Sequence, residues 1–202
     1  MDLILLLTLL AVLTSIIGAA LIAVEDRRLG VGLLVAEYAS VGGLLTLAGQ
    51  PGAALSRIGV GACAAAILVI TLRRIPPKPR QADPQAPPGR WFRLAASILV
   101  IAAAWGLSGS AVSLLPGISR GHAVAGVTLL ALGLLHLGLS EDPIRWIFAL
   151  LTAQLGFEVI YAVLEPSLAV QAILAGVHLG ILLVGSDIAV RQWPAVAKGT
   201  ES

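Results

Sequence analysis

The 202-residue chain has one cysteine, one methionine, three histidines and few charges: Asp, Glu, Lys and Arg together make up 12% of it. A single thiol, Cys63, excludes an internal disulfide and a thiol-based metal cluster. Its setting, GVGACAAA at 59–66, is that of a small apolar filler. Soluble domains carry about 25% charge, roughly double what is found here. No Walker loop, dinucleotide glycine fingerprint or zincin motif is present. His122, His136 and His178 lie on two predicted helices without the flanking positions of paired haem ligands, so no cofactor and no metal is expected. The net charge is +2, with the basic residues gathered in a few loops, so no nucleic-acid partner is expected.

Apolar residues fill this space. They make up 58% of the chain and give a mean hydropathy of +0.97. The composition predicts an all-α polytopic membrane protein. Seven runs reach the roughly 20 residues a bilayer demands: Leu3–Val24, Leu29–Ala48, Ala53–Leu72, Trp91–Leu115, His122–Leu139, Ile144–Leu164 and Leu168–Val190. The breaks between them carry charge, Pro or Gly: EDRR at 25–28, AGQPG at 48–52, PGISRG at 116–121, SEDP at 140–143 and EPS at 165–167. The first run begins with Asp2 and has its positive residues after it, the reverse of a signal peptide, so it is read as an uncleaved helix. The stretch 73–90 holds six of the eleven prolines and reads as an extended basic strap.

Orientation follows from Lys and Arg. Eleven fall on one side of the seven-span layout and two, Arg57 and Arg120, on the other. The positive-inside rule then puts the amino end outside and the carboxyl end in the cytoplasm of a cell's inner membrane. Trp91, Trp146 and Trp193 fall at cytoplasmic span ends, where an aromatic belt belongs. Small-residue runs at 59–66 and 105–113 (WGLSGSAVS) suit close helix approach.

The two ends of the chain read alike at an offset of 116 residues, which superposes Glu25-Asp26 on Glu141-Asp142. Residues 1–75 and 116–202 are then parallel three-helix units, joined by the linker 76–90 and a connecting helix at 91–115. In each unit the second helix carries an acid inside its apolar run, Glu37 and Glu158. A carboxylate at mid-membrane costs about 2.5–3.5 kcal/mol on insertion scales, which makes both functional candidates. Gln154, Glu158, Tyr161 and Glu165 are spaced four, three and four apart, one stripe of a helix. His178 sits near the centre of the last span, with Gln171 two turns earlier, and His136 in the inner half of the fifth. With no Lys or Arg at mid-depth, the acids are expected to be neutral or to find partners among histidines, waters or neighbouring proteins. Glu37, Glu158, His178, Gln154 and His136 are the proton-transfer candidates; hydrogen-bonded packing between helices is the competing reading for each.

IAVEDRRLGVGLL with LRRIP after it, and GH…LGLLHLGLSEDPIRWIF, give the chain a resemblance to a family. The unit of helix, charged loop, helix with a central acid, short turn and polar-bearing helix resembles the K-type subunit of respiratory complex I and the related C-type component of Mrp cation/proton antiporters. The whole chain is more similar to the E-type membrane subunit of formate hydrogenlyase and other membrane-bound hydrogenases. The resemblance implies a non-catalytic membrane-arm subunit of an oxidoreductase complex, lying beside large antiporter-like subunits. It would contribute acids to a hydrated axis. The family acid of the second helix falls at or near Gln154, with Glu158 one turn further, and the acid of the third helix is matched by His178. Two other readings compete: a structural subunit that braces larger partners, and a small stand-alone transporter made of two repeats.

Overall fold

The computed structural model describes residues 3–75, 89–115, 117–164 and 167–198. They form seven helices: α1 Leu3–Ala23, α2 Arg27–Leu47, α3 Pro51–Arg74, α4 Arg90–Leu114, α5 Arg120–Gly138, α6 Pro143–Leu164 and α7 Leu168–Lys198. Each is long and apolar enough to cross a membrane, and no strand occurs among the described residues. Every helix starts within two residues of its expected position, whereas α7 runs eight residues past the expected end at Val190. The Pro-rich strap, apart from its ends, and Glu165 of the polar stripe lie outside the described residues.

Local chemistry sets the ends. Asp26 caps α2 by accepting the Arg28 amide at 2.8 Å. Ser119 caps α5 through the His122 amide. Pro51 and Pro143 open α3 and α6, where a missing N–H costs nothing. Gly49, with φ of +78°, turns the chain between α2 and α3.

Tertiary contacts divide the bundle into two ends. At one, Arg27 Nη2 meets Asp142 Oδ2 at 2.9 Å, Arg93 Nη2 meets Glu25 Oε1 at 2.7 Å, and Arg145 Nη2 donates to the Val24 carbonyl at 2.6 Å. These contacts gather the α1–α2 loop, the start of α4 and the α5–α6 turn into a basic end. At the opposite end, His122 Nε2 pairs with the Leu44 carbonyl at 2.9 Å, and Gln50 donates to the Ala162 carbonyl.

Helices α2, α5 and α6 form the centre, with 56% of each apolar window buried against 17% for α4 and α7. The tightest seam is α5–α6. A Cβ on Gly133 would lie 2.7 Å from Ala153 Cα, and one on Gly156 would run into the Leu130 backbone nitrogen. Only glycine allows the two backbones to pass so closely. The run at 59–66 does make a helix contact, because Gly61 lies against Tyr38. By contrast, Gly106 and Gly109 of WGLSGSAVS face open space. Helix α1 packs on α5, α2 on α6 and α3 on α7.

Candidate functional site: a buried polar seam

Glu37 sits ten residues from either end of α2 and is fully buried. Its Oε2 accepts a hydrogen bond from Thr152 Oγ1 of α6 at 2.8 Å. Its Oε1 has no hydrogen-bond partner and faces the α1–α5 seam. There, a Cβ on Gly18 would lie 3.3 Å from Oε1 and 3.0 Å from Leu132 Cδ1. Glycine at 18 therefore leaves the room that the carboxylate occupies.

Tyr38 follows on α2 but points a different way, toward α3 and α7. A Cβ on Gly61 would be 2.8 Å from its Cβ, so α3 closes directly over the ring. The ring meets His178 of α7 edge-on, with centroids 5.6 Å apart and planes at 63°. The Tyr38 hydroxyl is buried without a partner.

Glu158 lies toward the opposite end of α6, and both its side chain and that of Arg57 are 0% exposed. Arg57 Nη1 approaches Glu158 Oε1 at 2.8 Å, and Arg57 Nη2 donates to Gln171 Oε1 of α7 at 2.6 Å. The expectation that neither acid has a basic residue within the spans is corrected here. Hydropathy and charge alone place Arg57 at the outer rim, but it lies six residues inside α3, about 9 Å beyond Pro51. Glu158 lies six residues before the matching end of α6, so the two meet at one level. The clue in the sequence was ALSRIGVG, an arginine set among small and apolar residues past a helix-opening proline.

His178 completes the cluster. Its Nδ1 is 3.0 Å from the Leu174 carbonyl and 3.3 Å from Glu158 Oε1. A carbonyl only accepts, so Nδ1 carries a hydrogen, shared between Leu174 and the carboxylate. Nε2 is left buried and unpartnered. Gln154 reaches the Glu158 carboxylate from one turn back on α6. Of the remaining stripe, Tyr161 is half-buried and stacks on Phe157 at 5.5 Å.

The other histidines differ in kind. His122 is satisfied on both sides, by Ser119 Oγ at 2.6 Å and by the Leu44 carbonyl, which ties α5 to the end of α2. His136, near the basic end of α5, is 1% exposed with neither ring nitrogen partnered.

The five sequence candidates thus divide between two clusters and a separate position. Glu37 pairs with Thr152; Glu158 gathers Gln154 and His178; His136 stands apart. Thr152 and the ionic partner Arg57 were not singled out by sequence reasoning. Thr152 sits in an apolar run where a hydroxyl bonding back to its own helix is the ordinary expectation. Chemically, the seam offers two carboxylates, an imidazole with one free nitrogen and a free phenol, all shielded from solvent. Such groups accept and donate protons; nothing among the described residues forms a cluster of three or more metal-ligating side chains.

No protein-family model, curated protein or solved structure matches this chain.

Proposed function

We propose that the chain is a multi-pass subunit in the membrane arm of a complex I-like or membrane-bound hydrogenase-like assembly, contributing to proton translocation across a cell's inner membrane. The amino end is outside and the carboxyl end cytoplasmic, so the basic end faces inward. Its two three-helix units are parallel repeats joined by α4; the packing of α1 on α5, α2 on α6 and α3 on α7 supports this arrangement. Its neighbours are large antiporter-like subunits, and the little-covered faces of α4 and α7 suit either such neighbours or lipid.

The observation that carries the reading is the fully buried pairing of Glu158 with Arg57, joined through His178 and the Tyr38 ring to the helix that holds Glu37. Intramembrane ionisable groups are rare and concentrate on ion pathways. Here, two acids lie on neighbouring helices, and the imidazole beside Glu158 meets the ring of Tyr38, the residue next to Glu37. The test is pumping by the complete complex in sealed vesicles, with Glu37→Gln and Glu158→Gln compared with the unaltered chain. Glu37→Gln should assemble, and Glu158→Gln should assemble at lower yield because it leaves Arg57 uncompensated. Each should lose about 100-fold or more in pumping per assembled complex, the range general acid–base groups contribute. Native pumping in both would end the conducting reading.

The scaffold reading has one observation in its favour: the Arg57–Glu158–Gln171 contacts join α3, α6 and α7 and would serve as a brace without moving a proton. It predicts that Glu158→Gln weakens assembly and leaves pumping per assembled complex unchanged.

A further inference from the structure

Helices α6 and α7 meet unevenly along their length. They touch where Gly185 has no side chain, since a Cβ there would lie 2.5 Å from Ile147 Cγ1. Gly180, deeper in the bundle, has nothing within 4 Å. Beside this contact lies a groove of about 370 Å³, walled by Pro143, Trp146 and Leu150 of α6 and by Gly180, Val184 and Ile188 of α7. Apart from the edge of the indole, every one of these side chains is apolar. The Trp146 indole N–H donates to the Ser140 carbonyl at 2.6 Å, which fixes that wall in place.

The groove covers one half of the bundle's depth. Gly180 is at the middle of the apolar stretch 169–192 of α7, and Pro143 opens α6 at the basic end. From Gly180 to Ile188 is about 12 Å along the helix, and from Pro143 to Leu150 about 10 Å. The hydrocarbon of one leaflet is about 15 Å deep, half that of a bilayer. A partner helix would lie along a whole span; an acyl chain stops at the midplane, as the groove does. The charge at its outer end also fits a lipid. Ile181, Val184, Ile188 and Arg191 follow one another at three- and four-residue intervals, so they share a face of α7. Side chains lean toward the N-terminus of their own helix, and α7 starts at the opposite end, so Arg191 leans back toward the groove. Its side chain is 78% exposed and binds Asp187 Oδ2 through Nε at 2.7 Å, which leaves both terminal nitrogens to grip a phosphate. Arg73 and Arg74, exposed at the end of α3, which packs on α7, add positive charge at the same rim.

We infer that the α6–α7 groove is a phospholipid site: one acyl chain lies between Trp146 and Gly180, and the phosphodiester binds Arg191 at the basic end. The lipid belongs to the leaflet at that end. A bilayer is itself apolar, so the chain is held by close packing rather than by removal from water, and selectivity lies in the phosphate contact. The site goes beyond proton translocation and stands whether or not the protein conducts.

Native mass spectrometry of the full chain in mild detergent, titrated with dioleoylphosphatidylglycerol, tests the site. Gly180→Leu puts a side chain into the groove with no neighbour to strike, and should weaken binding about tenfold by crowding out the acyl chain. Gly176→Leu, equally open but outside the groove, should bind like the unaltered chain and so controls for helix propensity. Equal binding by Gly180→Leu and the unaltered chain would overturn the site. Arg191→Ala should weaken binding about fivefold, the worth of one arginine at a lipid surface. Dioleoylglycerol, which has the chains without the phosphate, should bind the unaltered chain and Arg191→Ala alike. If it binds the unaltered chain as tightly as the phospholipid does, the phosphate contact is refuted. In the intact complex, Gly180→Leu should shed phospholipid and keep its neighbouring subunits. Loss of a subunit with phospholipid retained would put a protein helix in the groove and overturn the proposal.

Discussion

At the scale of single residues, the energetic weight falls on Arg57. Two charges withdrawn from solvent are tolerated only while each holds the other, and removing one leaves the survivor buried and uncompensated. Arg57→Met should therefore destabilise the chain by about 3–5 kcal/mol, seen as a lowered unfolding midpoint in detergent. The double variant Arg57→Met with Glu158→Met should recover most of that loss, since an apolar pair of similar volume avoids the desolvation cost. A double variant as unstable as the single one would mean that Gln171 and His178 depend on the charges too. His122 gives the contrasting case. Its bond to the Leu44 carbonyl holds α5 to the end of α2 and its bond to Ser119 fixes the ring, so His122→Ala should cost about 1–3 kcal/mol and leave pumping per assembled complex unchanged. The acids were legible from the sequence because a carboxylate in an apolar run is conspicuous. Arg57 was not, because an arginine six residues from a helix start looks like loop when only hydropathy is read. The distinction between His122 and His136 was also beyond the sequence, since it depends on which carbonyl or hydroxyl a neighbouring helix presents.

At the scale of helices, close approach in the α5–α6 seam is what places Thr152 beside Glu37. Gly156→Leu should force the seam apart and cost upward of about 3 kcal/mol, as overpacking of a tight contact does. Its measurable form is loss of folded monomer after extraction. Gly106→Leu on α4 has nothing within 4 Å to meet and should stay within about 0.5 kcal/mol of the unaltered chain. An equal loss in both would show that glycine acts through helix propensity rather than through fit. Helix starts could be read to within two residues because Asp26, Pro51, Ser119 and Pro143 each stop or start a helix for a local reason. Which small residues make contact could not. Several stretches of the chain are rich in glycine and alanine, and only the facing helix decides which are used.

At the scale of the whole molecule, the distribution of arginine is the organising asymmetry, and the tertiary structure sharpens it. With Arg57 committed to Glu158 inside the bundle, Arg120 is the one basic residue left at the opposite rim among the described residues. The basic end also holds the inter-loop contacts of Arg27, Arg93 and Arg145. Arg27 with Asp142 is partly exposed, 18% and 17%, so as a surface pair it contributes no more than about 1 kcal/mol. Its value lies in fixing the loops that flank His136. The count of helices and the end of the bundle at which each loop lies were readable from hydropathy and charge. The side-by-side packing of α1 with α5, α2 with α6 and α3 with α7 was hinted at only by the 116-residue offset, because helices exposed to lipid carry little information about which neighbour they choose. Orientation is the prediction that belongs to this scale. A fluorescent protein that matures only in the cytoplasm should light up when fused after Ser202 and stay dark when fused before Met1; a periplasmic phosphatase should give the opposite pattern. Adding three lysines between Gly49 and Gln50 in the α2–α3 turn would pit a second basic cluster against the first. The buried Arg57–Glu158 pair lies just inside that turn, so the added charges should lower the yield of inserted chain rather than invert it. Inversion without loss of yield would show that the loop charges, and not the assembled seam, hold the chain in its orientation.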